Sequence, residues 1–355
     1  FFPDGQRLAS ASRDGTVRLW STTVSQRETL RYNSGGRRDA ITVSPDSHWW
    51  TTSEESGSLK VCDTQPGSSP RETRAGVEMA RNEGFDDGGL TVVCSVFPDA
   101  NARIELEWRS LKDLAIARRL PLDGHVDRGR IWIRSFRAGL FAVGQSDGLV
   151  RVWSTRTGAQ LCAFRLPDHL SDKPAFTNVI GHLVISPDGA LVAAGVRGYS
   201  QIAVFSVPDN KLLYSHHSRP LITVMEGDHR NDPGHLRFLG FSPDGKLLVS
   251  ADSTEPGIRL WEARTGRELG QLSGHRDHTA EVAFSPDGKT LASTGGDGSL
   301  KLWHLPTRRE VATLLESGAV GPVAFSPDGT LLIAGVRDEV RIWRAPTLAE
   351  IDRQP

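Results

Sequence analysis

GHRDHTAEVAFSPDGKTLASTGGDGSLKLW, from Gly274 to Trp303, decides the fold. Three short alternations of apolar and polar residues, AEVAF, TLAST and LKLW, are separated by SPDG and GGDG. Period-two alternation broken by Gly, Pro and Asp predicts strands joined by tight turns, so this stretch is a three-stranded meander. Its polar residues have fixed places: His275 in the loop before the first strand, Ser293 in the second, Asp297 in the following turn and Trp303 at the end of the third. A buried indole N–H needs an acceptor, a hydroxyl can supply one, and an imidazole can bridge hydroxyl to carboxylate. The quartet therefore reads as one hydrogen-bonded chain inside the sheet. A Ser-His-Asp hydrolase triad is the competing reading, but a Trp six residues after the Asp has no part in acyl transfer.

Working outward, the same third-strand ending recurs at Trp20, Cys62, Trp108, Trp153, Phe205, Trp261, Trp303 and Trp343. The spacings are 42, 46, 45, 52, 56, 42 and 40 residues, near the roughly 40 to 45 expected of a four-stranded propeller blade. With these spacings and the His, Ser, Asp and Trp positions, the chain resembles the WD-repeat family. The resemblance implies an all-β fold: a single β-propeller of four-stranded antiparallel blades, eight in number, or seven plus a partial blade. It spans residues 1–355, with blades at about 1–34, 35–74, 75–122, 123–166, 167–215, 216–272, 273–315 and 316–355. It also implies a ring that closes when the two chain ends share a blade. SPDG-rich copies resemble bacterial members, and the ending WRAPTLAEID resembles arrays attached to signalling modules such as serine/threonine kinases.

The copies differ in how much of the quartet they keep. Ser10, Asp14 and Trp20 hold three of the four positions in the first, and His125, Asp147 and Trp153 three in the fourth, where Val143 replaces the Ser. There a water or a direct contact must satisfy the Trp153 indole. In the second copy Cys62 replaces the Trp, and Trp50 falls where others have Leu8, Phe141 and Leu291, which makes it core. The third copy reads as GVEMARN, LTVVCSV and RIELEW for its first three strands. The last has TLAEID as its expected outer strand. The chain opens at FFPDG inside what reads as a first strand, so upstream residues are expected to complete that unit.

Two long spacings mark insertions, Arg165 to Asn178 and Ser215 to His235. The second is rich in His and Asp but lacks CxxC or HExxH spacing, so a solvated loop is expected, with neither metal nor other cofactor. Both insertions, like the turns between second and third strands, are expected on one rim. That rim supplies the candidate contacts for a protein or peptide partner: Arg13, Ser146, Asp168, Lys173, Arg197, His216, His217, Asp228, His229, Arg230, Glu255 and Arg337. A rigid frame carrying variable loops suits binding, so the expected function is a non-catalytic interaction scaffold in the cytoplasm, monomeric or part of a longer chain.

Other classes fit less well. A propeller enzyme would need convergent acids, bases or ligands, and the sequence has no GxSxG, HExxH or P-loop. Net charge is −1, which gives no reason to expect a nucleic acid. A basic run of Arg118, Arg119, Arg128, Arg130, Arg134 and Arg137 lacks an aromatic platform and reads as a solvated edge. No apolar run approaches the roughly 18 residues of a membrane helix. The three cysteines, Cys62, Cys94 and Cys162, are odd in number without paired spacing, and read as small core hydrophobes.

Overall fold

The computed structural model describes residues 7–11, 17–21, 28–33, 38–44, 48–54, 58–63, 71–74, 81–85, 91–96, 105–110, 113, 115–123, 131–145, 147–166, 180–196, 201–217, 236–253, 256–315, 321–336 and 339–344. They form two compact units: Phe1–Glu55 and Leu59–Glu72 with Gly274–Pro355, and Ser56–Ser58 with Thr73–Ser273. The described residues are all strand and turn. No described helix is long and apolar enough to cross a membrane.

In the first unit β1 (Arg7–Ala11) and β2 (Val17–Ser21) make a two-stranded sheet. β3 (Glu28–Asn33) leaves it, and β4 (Arg38–Val43), β5 (Trp49–Glu54), β6 (Ser58–Asp63) and β7 (Arg71–Arg74) make a four-stranded one. In the second unit β8 (Arg81–Phe85), β9 (Thr91–Val96), β10 (Glu105–Ser110) and β11 (Ile116–Pro121) form a sheet, as do β12 (Ile131–Arg137), β13 (Leu140–Gln145), β14 (Leu149–Ser154) and β15 (Gln160–Arg165). β16 (Ile180–Ile185), β17 (Leu191–Val196), β18 (Gln201–Ser206) and β19 (Lys211–His217) follow, then β20 (Leu236–Phe241), β21 (Leu247–Asp252), β22 (Gly257–Glu262) and β23 (Glu268–Ser273). Back in the first unit, β24 (Thr279–Phe284), β25 (Thr290–Gly295), β26 (Leu300–His304) and β27 (Arg309–Leu315) form a sheet. The last comprises β28 (Val323–Phe325), β29 (Leu331–Val336), β30 (Glu339–Arg344) and, as its outer strand, β3.

Strand register confirms the repeat. Each closing residue of a third strand lies opposite one position of the second: Leu8 to Trp20, Trp50 to Cys62, Val93 to Trp108, Phe141 to Trp153, Val192 to Phe205, Leu248 to Trp261, Leu291 to Trp303 and Leu332 to Trp343. Burial differs from strand to strand where side chains are described. The second strands β17, β25 and β29 are buried at every residue, which explains LVAAGV, TLASTG and LLIAGV: a strand covered on both faces loses polar alternation and favours small side chains. The outer strand β15 alternates from Leu161 onward, where Cys162 and Phe164 point inward and Leu161 and Ala163 outward. Phe164 stacks on Phe205 of the next sheet with ring centroids 4.6 Å apart, knitting β12–β15 to β16–β19.

The SPDG turns repeat one geometry. Ser186, Ser242, Ser285 and Ser326 each donate a hydroxyl to the Asp two residues on, at 2.5–2.6 Å. Each hydroxyl oxygen also accepts the amide five residues on, at 2.8–2.9 Å, locking the hairpin register. In the turns between third and fourth strands one residue takes the left-handed conformation: Gly158, Asn210, Gly266 or Arg308. At Gly266 (φ +72°) an added Cβ would stand 2.5 Å from the Tyr214 ring of the preceding sheet's outer strand.

Three local expectations are corrected. The outer strand of the last sheet is β3, paired from Glu28 to Asn33 with β30, while TLAEID lies outside the described residues. In the unit at 75–122 the first strand is Arg81–Phe85, so Gly84 and Phe85 lie in a strand where a turn was expected, and GVEMA lies outside the described residues. His216 and His217 belong to β19 and not to the insertion.

Gly266→Ala should cost about 1–3 kcal/mol, because a non-Gly left-handed residue is strained and its Cβ meets Tyr214. Asn210→Gly, at the same turn position one sheet earlier, should change stability little. Urea unfolding midpoints of the two variants test the contrast.

Candidate functional site

The quartet at His275 is assembled by three neighbouring segments. Ser293 lies in the middle of β25, paired with Val282 of β24 and Lys301 of β26. Trp303, next to last in β26, donates its indole Nε1–H to Ser293 Oγ at 2.7 Å. Ser293 Oγ stands 2.7 Å from His275 Nε2. The hydroxyl oxygen already accepts the indole, so its proton goes to Nε2, which leaves Nδ1 as the protonated nitrogen. Nδ1 faces both Asp297 carboxylate oxygens at 3.3 Å and Ser299 Oγ at 3.0 Å.

Asp297 is the far anchor. It accepts the Arg276 amide at 2.8 Å, the Ser299 amide at 2.9 Å and the Ser299 hydroxyl at 2.7 Å. Burial works to raise its pKa, but those donors outweigh it and hold the carboxyl well below the usual range. Burial pulls the His275 pKa down, against the attraction of Asp297, so the imidazole is neutral at pH 7. Gly295 is what makes room: a Cβ there would stand 2.4 Å from His275 Nδ1. Ser299 is a fifth member that the pattern of His, Ser, Asp and Trp did not reveal. The GDGS ending of the turn was its only trace.

This arrangement cannot act as a nucleophilic triad. Ser293 is 0% and His275 5% exposed, and the Ser293 oxygen is held by an indole where an attacking atom would need an open path. The quartet's chemistry is structural: a buried polar network with every member paired, which stiffens the sheet.

The other copies satisfy their indoles differently. In β20–β23, Trp261 donates to Ser250 Oγ at 2.9 Å. The face of Trp261 is covered by His216, stacked at 4.6 Å, whose Nε2 lies 2.6 Å from the Gly266 carbonyl and so donates to it. His216 is thus engaged between two sheets. In β12–β15, Trp153 donates to the Asp123 carbonyl at 2.8 Å, a direct contact in place of the missing Ser. Asp147 accepts the Leu149 amide at 3.2 Å and lies 3.5 Å from Arg165. His125, Asp14, Arg13, Ser146, Asp168, Lys173, Arg197, Asp228, His229, Arg230, Glu255 and Arg337 lie outside the described residues. Ser10, Trp20 and His217 are placed by backbone alone, in β1, β2 and β19.

Two members of the basic run, Arg118 and Arg119, are also engaged. Arg118 lies 4.5 Å over the Trp108 ring and donates to the carbonyls of Thr155 and Arg156. Arg119 pairs with Glu107 at 3.1 Å and Glu105 at 3.5 Å. Among the described residues no three His, Cys, Asp or Glu side chains are placed to hold a metal ion.

Ser293→Ala should cost about 1–3 kcal/mol by leaving the Trp303 N–H and His275 Nε2 without partners in a buried place. Denaturant unfolding measures it. The pH dependence has two opposing parts. The unfolded chain takes up a proton at His275 near pH 6.5 while the folded one resists, so that stability is present above pH 6.5 and is lost on acidification. Burial pushes Glu281 up to about 7 from 4.5, so the folded chain keeps a proton the unfolded one releases, and stability falls as pH rises through that window. Glu281→Gln should therefore gain on wild type at pH 7.5 and lose that gain by pH 4.5, whereas His275→Asn should flatten the fall below pH 6.5.

The WD domain, G-beta repeat model matches residues 1–21, 226–262 and 266–304. An uncharacterized WD repeat-containing protein of Synechocystis is 30% identical over 162 residues, 45% of this chain and 42% of its own. The periodic tryptophan protein 2 homolog of Dictyostelium discoideum is 27% identical over 249 residues, 69% of this chain and 24% of its own. The chain thus spans less than half the length of these curated relatives. A chain in the crystal structure of the mitotic checkpoint complex has the same fold, with a TM-score of 0.67 over 91% of this chain and 93% of that one at 14% identity. In its repeats by sequence, and in its four-stranded sheets by structure, the chain is similar to WD-repeat β-propeller proteins.

Proposed function

We propose that the chain is a non-catalytic platform for a protein or peptide, used on the face that carries the loops before each first strand and the turns between second and third strands. The carrying observation is the commitment of the acid–base residues: His275, Ser293, Asp297 and Ser299 are consumed in holding one sheet together. Rigid sheets with loops of unequal length then leave recognition to the loops. WD repeats serve typically as interaction scaffolds, which supports the reading. Arg13, Ser146, Asp168, Lys173, Arg197, Asp228, His229, Arg230, Glu255 and Arg337 remain the proposed contacts, with His217 beside them. His216 is better assigned to packing against Trp261. The proposal treats residues 1–355 as a single propeller domain.

Reversing charge at Arg13, Arg197 and Arg337 together should remove specific partners from an affinity capture while leaving the far-ultraviolet spectrum unchanged. An identical set of captured proteins would discard this face.

A further inference from the structure

The outer strand of the last sheet does not come from the segment that follows its third strand. Elsewhere β7, β11, β15, β19, β23 and β27 each pair with the strand just before them, across connections of four to seven residues. β3 follows β2 across residues 22–27, a connection of six residues and so of hairpin length. Yet β3 pairs with β30, more than 300 residues away in sequence.

The two possible hosts match each other. Val17–Trp20 reads VRLW and Val340–Trp343 reads VRIW, differing at one residue. Their hairpins have the same register, Leu8 to Trp20 and Ser10 to Arg18 in one, Leu332 to Trp343 and Ala334 to Arg341 in the other. On β30, Leu30 lies opposite Ile342, Arg31 opposite Arg341 and Tyr32 opposite Val340. On β2 the same strand would lie opposite Leu19, Arg18 and Val17, so the cross-strand pairs would be nearly identical.

With side-chain pairing nearly equal, two other factors oppose each other. Loop closure favours β2, because a short connection loses less chain entropy. Sheet support favours β30, which already has β29 beside it and β28 beyond that, whereas among the described residues β2 has only β1. We propose that β3 is an exchangeable strand for which β2 and β30 compete, and that its transfer to β2 uncovers the outer edge of β30.

Paired cysteines in the full chain test this, since directly opposed antiparallel residues are close enough for a disulfide. One variant carries Arg31→Cys with Arg341→Cys, the other Arg31→Cys with Arg18→Cys. Dilute protein is oxidised gently and the disulfides are mapped by mass, which separates them from Cys62, Cys94 and Cys162. Both variants should give intrachain disulfides, with the link to β30 more abundant. Leu19→Pro, which disables the β2 edge, should raise the yield of the β30 link. A disulfide to position 341 alone would overturn the proposal, as would no disulfide at either site. Disulfide-linked dimers through position 18 would also overturn it, because β2 would then be taking β3 from a second copy. If Arg341→Cys prevents folding, Tyr32→Cys with Val340→Cys or Val17→Cys makes the same comparison.

Discussion

A buried indole nitrogen must be given an acceptor, and the sheets closed by Trp303, Trp261 and Trp153 are arranged around that requirement. The closing Trp supplies the largest apolar surface of its strand, and covering it means taking its N–H away from water. Trp303 solves this with Ser293, then carries the solution outward through His275 to Asp297 at the turn. The chain of bonds ties the loop before β24, the middle of β25 and the turn before β26 into one body. Trp261 stops at Ser250, and Trp153 uses the Asp123 carbonyl, so the acceptor is obligatory while its identity is free.

That constraint also explains why catalytic residue types recur here without catalysis. Serine, histidine and aspartate are the side chains that can relay a hydrogen bond from an indole to the solvent edge, and the spacing that suits the relay places them at 0–5% exposure for Ser293 and His275. The neutral imidazole follows from burial, and the carboxylate is held ionised by amides and a hydroxyl. Such groups are tuned for permanence.

A second rule acts between sheets. The second strands are covered on both faces, which selects Ala, Gly, Ser and Val there. The outer strands cover the closing aromatic of the next sheet: Phe164 lies on Phe205, and His216 lies on Trp261. His216 fills this place by stacking as an aromatic while its nitrogen donates to the Gly266 carbonyl. In the sequence it looked like part of a polar insertion. Nothing in a run of SHHSRP says that a histidine will serve as a ring against a tryptophan from a strand some forty residues later.

The sequence by itself determined what is local. Alternation, the SPDG turns and the spacing of closing residues specified strand identity, hairpin register and the His275 quartet, because each rests on contacts within about thirty residues of chain. In the third unit the first strand falls a few residues later than GVEMARN, because the true strand, RNEGF, has little alternation. Only the tertiary structure decided which acceptor serves Trp153, what covers Trp261, and that β3 joins β30 in preference to β2. Those choices link segments that no local pattern connects, 30 residues apart for Asp123 and Trp153 and more than 300 for β3 and β30. Matching local patterns, VRLW and VRIW, are equivalent to a sequence reader, and they differ only in the sheet that already stands behind them.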